Sequence, residues 1–179
     1  MNKTFPHIST ERKIFIGIGL ATVLIMAGGI FLLSKQDERL NKPLVGQEVK
    51  IEGGNHLPEG TQITYNSNPP AGGSHYPTTA HAGVYDKAPA DGNLVHSLEH
   101  GAVILWYNPK LLSQEQISRL KNIFNQTSGK AIMTPRDSMD FLVALSSWGR
   151  VLKLKDIDEK QIKDFFDTNR DRAPEKAQI

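Results

Sequence analysis

The sequence predicts an α+β fold: a single exported domain with a small mixed or antiparallel sheet and two or three helices, preceded by one N-terminal transmembrane helix. Three observations predict it. Ile14 to Leu33 is an uninterrupted apolar run, strand-like and amphipathic helical segments alternate after residue 100, and no internal repeat is evident.

The apolar run, IFIGIGLATVLIMAGGIFLL, has 20 residues. As a helix it spans roughly 30 Å, about one hydrocarbon core. A signal peptide is the competing reading, since Arg12 and Lys13 form a basic start and Ala27-Gly28-Gly29 offers small residues for cleavage. Ile30 to Leu33 carry the run past the roughly 7 to 15 apolar residues of a signal core, so a retained anchor is expected. Lys3, Arg12 and Lys13 ahead of the span are matched by Lys35, Arg39 and Lys42 behind it. The amino terminus adds a charge to the short tail, and a basic tail ahead of a first span usually stays inside. Residues 1–13 are therefore expected to be cytoplasmic, 14–33 to lie in the cell membrane, and the C-terminal domain to be extracytoplasmic.

Residues 34–47, SKQDERLNKPLVGQ, read as a polar tether, and residues 48–176 as the domain. Gln47 to Ile51 are expected to start a strand. From Gly53 to Asn93 the chain is rich in Gly, Pro, Asn, Ser and Thr, which exclude a long regular element. So long a loop is functional or disordered, and Tyr65, Tyr76, Val84 and Tyr85 favour order because they offer surface to bury. A bound metal would also organise it, offsetting roughly 1 to 2 kcal/mol of backbone entropy per residue.

Ala102 to Tyr107 is a continuous apolar run ended by Asn108-Pro109, the pattern of a buried strand. Ser113 and Gln116 form a capping-box pair for a helix whose stripe is Ile117, Leu120, Ile123 and Phe124, with Gly129 expected to end it. Lys130 to Thr134 and Phe141 to Trp148 read as a second strand pair, followed by Arg150 to Leu154 after a turn at Gly149. Asp158 is expected to cap a last helix with Ile162, Phe165 and Phe166 inward, and Ala173-Pro174-Glu175 to close the domain.

Three basic residues outweigh Glu11 in the first 34 residues, and residues 35–179 hold 18 basic and 18 acidic ones. A neutral domain without a Lys/Arg stripe argues against nucleic acid as its partner, leaving the membrane as the partner that the sequence names. The chain has no cysteine, which excludes disulfides, thiolate ligands and cysteine nucleophiles.

Histidine carries the chemistry. Five of the six, His56, His75, His81, His96 and His100, fall between residues 56 and 100, whereas His7 precedes the span. His96 and His100 share a face if Leu94 to Gly101 is helical, and a cysteine-free site draws on imidazole, carboxylate or water. Glu99 between them is a candidate ligand, second-layer acceptor or catalytic acid/base. The string His96-Ser97-Leu98-Glu99-His100 also satisfies the H-x-x-E-H pattern of one metallopeptidase class, but Gly101 and an immediate strand leave barely two helical turns for it. Gly72-Gly73-Ser74 reads as a turn before an anion nest, Ser74 and Ser97 lack a nucleophile elbow, and Met133 and Met139 read as core filling before copper ligands.

Asn68-Pro69-Pro70, Gly73-Ser74-His75, Gly83-Val84-Tyr85 and Leu94 to Gly101 running into the Val103 strand resemble the bacterial domain of unknown function 3105 family. Trp148-Gly149-Arg150, Phe165, Arg170 and Ala173-Pro174-Glu175 extend the likeness over the whole outer domain. The family pattern has Pro-Thr-Ser-Gly-Pro-His where this chain has Pro70 to His75, which keeps the histidine and alters the turn before it. The resemblance implies a membrane-anchored exported bacterial domain without an established activity.

The leading expectation is a transition-metal site, copper or zinc, with His96 and His100 at its centre and His75, His81 or His56 completing it. A metal-dependent hydrolase or oxidoreductase using Glu99 is the alternative, and a structural envelope module is the third reading.

Overall fold

The computed structural model describes residues 9–179, so Lys3 and His7 of the expected tail lie outside the described residues. Two compact units meet at Lys42 and Pro43 and are taken separately.

The first is a single helix, α1 (Thr10–Asn41), whose Ser9 side chain caps the Arg12 N–H. Its apolar side chains are exposed throughout, Ile25 and Phe15 by three quarters. With a mean hydropathy of 2.4 in its most apolar stretch, it is long and apolar enough to cross a membrane. It outruns the expected 14–33 at both ends, and residues 34–41 of the expected tether are helical.

The second unit is α+β. Its strands are β1 (Gln47–Glu48), β2 (Gly83–Val84), β3 (Val103–Tyr107), β4 (Ala131–Pro135), β5 (Val143–Ser147) and β6 (Arg150–Leu154). Its helices are α2 (Asp91–Glu99), α3 (Gln114–Phe124) and α4 (Glu159–Asn169). All six strands form one mixed sheet in the order β1-β6-β5-β3-β4-β2. β3 runs parallel to β4 and antiparallel to β5, and β5 to β6 is the expected hairpin. The expected pairing of β4 with β5 is corrected: β3 lies between them, because the α3 crossover returns the chain parallel to β3.

β3 is central and buried at every residue because each of its faces meets helices. Val103, Leu105 and Tyr107 pack with Ile117, Leu120 and Phe124 of α3 and with Ile162, Phe165 and Phe166 of α4. Ile104 and Trp106 point the other way, into a cluster with Leu94 and Leu98 of α2, Ala80, Ile132 and Met139. Met133 belongs to the first cluster and Met139 to the second, so both fill core. The period of two along β3 thus sends α3 and α4 to one face and α2 to the other.

The capping box at Ser113 and Gln116 is formed, and Asp158 caps α4 through the Gln161 N–H. Hydrogen bonding from that N–H, with the Gln161 side chain, holds the Asp158 carboxyl below its ordinary pKa. α3 stops at Phe124 rather than near Gly129, because the Thr127 N–H and hydroxyl both bond the Phe124 carbonyl and turn the chain. Nor do Ala173 to Glu175 close the structure: the chain continues to a partly buried Ile179 packed on the α2 cluster. At the other end, Val45 exchanges bonds with Asn169, which tethers residues just ahead of β1 to α4.

The expected loop from Gly53 is ordered. Pro70 and Ala71 are buried, the Ala71 carbonyl accepts from Gly149 N–H, and Tyr76 is buried with its hydroxyl bonded to the Thr61 carbonyl. Arg136 fastens this region by a two-pronged bond to Asp91 at 2.7 and 3.1 Å and a third bond to Asn68.

Candidate metal centre

The centre forms where the loop meets the outer side of α2. Leu94 and Leu98 anchor the helix to the sheet, and the same 3.6-residue period places His96, Glu99 and His100 along another side. Gly92 lets this happen: the Tyr76 ring covers it so closely that a Cβ there would sit 2.6 Å from ring carbons. Ser97 fixes the loop to the helix by accepting from the Ala80 N–H and donating to the Ala80 carbonyl. Its hydroxyl is therefore committed to structure.

His75 and His56 arrive on adjacent extended segments. They form an isolated parallel bridge in which the Leu57 N–H bonds the His75 carbonyl at 2.8 Å and the His75 N–H bonds the Asn55 carbonyl at 3.1 Å. Positive φ at Gly72 and Gly73 shapes the turn just before His75, and a Cβ on Gly72 would strike Ile51 at 2.4 Å.

His56, His75, His96 and Glu99 each offer a ligand atom, and the four atoms all lie within 4.8 Å of one another. His56 is exposed, while His75, His96 and Glu99 are buried at 0%, 6% and 8% exposure. The Nε2 atoms of His56 and His96 are 3.5 Å apart. His75 and His96 stack, and His56 meets both edge-on. Trp148 stands edge-on to His75 at 6.4 Å.

The tautomer of His75 follows from its partner. Its Nδ1 is 2.8 Å from the Gly73 carbonyl, which only accepts, so Nδ1 carries the hydrogen. With that hydrogen placed, the buried Nε2 on the other side of the ring lies 3.0 Å from Glu99 Oε2. That approach is not aligned as a hydrogen bond, and Nε2 has no hydrogen-bond partner. A carbonyl on one ring nitrogen with the other turned into a ligand cluster is the usual outer arrangement of a metal-binding histidine.

His96 is held neutral. Desolvation, then the neighbouring His100, His75 and His56, lower its pKa from 6.5 to about 4. Its lone pair therefore stays available where a solvent histidine is half protonated. Three imidazoles and a carboxylate, with no sulfur, are a donor set for zinc, copper, iron or nickel in their divalent states.

The remaining sequence candidates lie elsewhere. His81 is exposed and outside the group, and its carbonyl accepts from the Tyr85 hydroxyl. His100 touches His96 ring to ring at 4.5 Å, yet its nitrogens face the C-terminal tail: Nδ1 donates to the Gln178 carbonyl at 2.9 Å and Nε2 lies 3.2 Å from Glu175. Sequence reading missed this tail. The Ala173-Pro174-Glu175 string was visible, but nothing in it signals that a residue 75 positions after His100 folds back upon it.

A family model described as protein of unknown function (DUF3105) matches residues 56–179. The chain belongs to that family. The matched segment begins at His56, so the family domain includes all four cluster residues and the tail against His100, and leaves out α1 and β1. No curated protein and no solved structure matches the chain.

Proposed function

We infer that this DUF3105 protein is a membrane-anchored domain that binds one divalent transition metal, copper or zinc, through His56, His75, His96 and Glu99. One observation carries the reading. The buried Nε2 of His75 and the Glu99 carboxylate face each other at 3.0 Å without a hydrogen bond between them, two electron-rich atoms that a shared cation would reconcile.

Four protein donors close a tetrahedral zinc shell, the pattern of a structural or storage site, whereas hydrolytic sites keep one position open. The binding reading therefore stands ahead of the enzyme that uses Glu99 as acid/base. His56 is the exposed donor on a loop-borne segment already seated beside α2, so a bound metal would link the loop to the helix.

The full chain in detergent micelles, titrated with Zn²⁺ against a competing chelator, is expected to take up one equivalent. Absence of uptake by folded protein would sink the reading. α1 supplies the anchor, with residues 1–13 inside, 14–33 spanning and 48–176 outside. A phosphatase reporter fused after Ile179 is expected to be active and a cytoplasm-only reporter at the same place inactive; the reverse pattern would overturn the orientation.

A further inference from the structure

We propose that the C-terminal segment, residues 171–179, is a strap that slows release of the metal by locking the end of α2. The proposal rests on the metal reading above and concerns how the same site is regulated.

α2 supplies two of the four donors within its last turn, and a helix end is where a ligand-bearing residue frays most easily. Here the fraying end is tied at three consecutive residues. The Glu99 carbonyl accepts from the Glu175 N–H at 3.1 Å, and the Gly101 carbonyl accepts from the Asp171 N–H at 2.9 Å. Between them, His100 Nδ1 donates to the Gln178 carbonyl at 2.9 Å and Nε2 lies 3.2 Å from the Glu175 carboxylate. Gly101 lies so close under Asp171 that a Cβ would meet the Asp171 Cα at 2.8 Å. Ile179 then packs against the apolar cluster that Leu94 and Leu98 share with Ile104, Trp106 and Ile132 of the sheet.

The strap thus grips the helix end at Glu99 and the two residues after it, while none of its own residues is a donor. His100 is the hook. Its ring contacts His96, so lifting the tail frees the group that buttresses one ligand and the backbone that carries another. For an ion to leave, Glu99 and His96 must move away together, and the strap opposes that movement. Interactions of this kind act mainly on dissociation rates.

The test uses full-length chain in micelles, loaded with Zn²⁺ and mixed with excess chelator in a stopped-flow instrument. Glu175→Ala and a chain ending at Pro174 are expected to release zinc on the order of tenfold faster, the loss of about one net hydrogen bond between tail and helix end. Glu175→Gln is expected to restore slow release, because a carboxamide can partner His100 Nε2 as donor or acceptor. The thermal midpoint of the metal-free Glu175→Ala protein should match the parent. Unchanged release from both variants overturns the strap. Faster release that merely tracks a lowered midpoint also overturns it, since the tail would then stabilise the fold at large. A parent chain that binds no zinc overturns the metal reading itself, and the strap with it.

Discussion

Alanine at position 96 is expected to remove zinc and copper binding, lowering affinity by at least about 100-fold while the domain still folds. His96 lies in the middle of the donor group, stacked on His75 and 3.5 Å from His56. Among the described residues no other imidazole is placed to substitute for it: His100 Nδ1 is bonded to the tail and His81 lies outside the group. The apo protein should still fold after the change, because the His96 Nδ1 has no hydrogen-bond partner and the neutral ring has no ion pair to lose. A metal at about 100 times its dissociation constant adds roughly 2.7 kcal/mol to stability. Thermal unfolding with and without Zn²⁺ should therefore show a clear upward shift in the parent and none in His96→Ala. His81→Ala is the control, and it should keep the full shift.

The second large effect lies in the core. Trp106→Ala is expected to destabilise the outer domain by about 3 to 5 kcal/mol, a large part of the roughly 5 to 15 kcal/mol that holds a domain of this size. Trp106 is fully buried on the α2 face of the sheet, its indole N–H bonds Ser146 at 2.8 Å, and Arg136 lies 5.2 Å over its ring. Removal opens a large cavity under Leu94 and Leu98, orphans the Ser146 hydroxyl, and weakens the Arg136 link to Asp91 at the start of α2. A guanidinium chloride titration followed by circular dichroism should show the midpoint fall. Since α2 carries two of the four donors, metal binding should weaken in the same variant, which distinguishes a shaken scaffold from the clean ligand loss of His96→Ala.

Much of the scaffold was legible in the sequence because its signals are local. The continuous apolar run at residues 102–107 belongs to a strand covered on both faces, and the Ser113 and Asp158 caps stand at the helix starts expected of them. Strand order was not legible, since placing β3 between β4 and β5 depends on how the α3 crossover packs. In the centre, the spacing of His96, Glu99 and His100 on one short helix was readable from period alone. Which loop histidine joins them was not. His56 and His81 look alike in the sequence, and only the bridge between His56 and His75 decides that the first comes to α2 while the second stays at the surface. His100 shows the same limit from the other side, because its partners Glu175 and Gln178 are far along the chain and were placed by tertiary contacts.

The central claim is that His56, His75, His96 and Glu99 hold one divalent metal ion. The most direct measurement is competitive titration of the full chain with Zn²⁺ and with Cu²⁺, alongside the variants His75→Ala and Glu99→Gln. The account predicts one equivalent bound by the parent, with Cu²⁺ quenching tryptophan fluorescence through Trp148 beside His75, and weakened binding in both variants. A folded parent that binds neither ion, or that binds equally well after both substitutions, would contradict it.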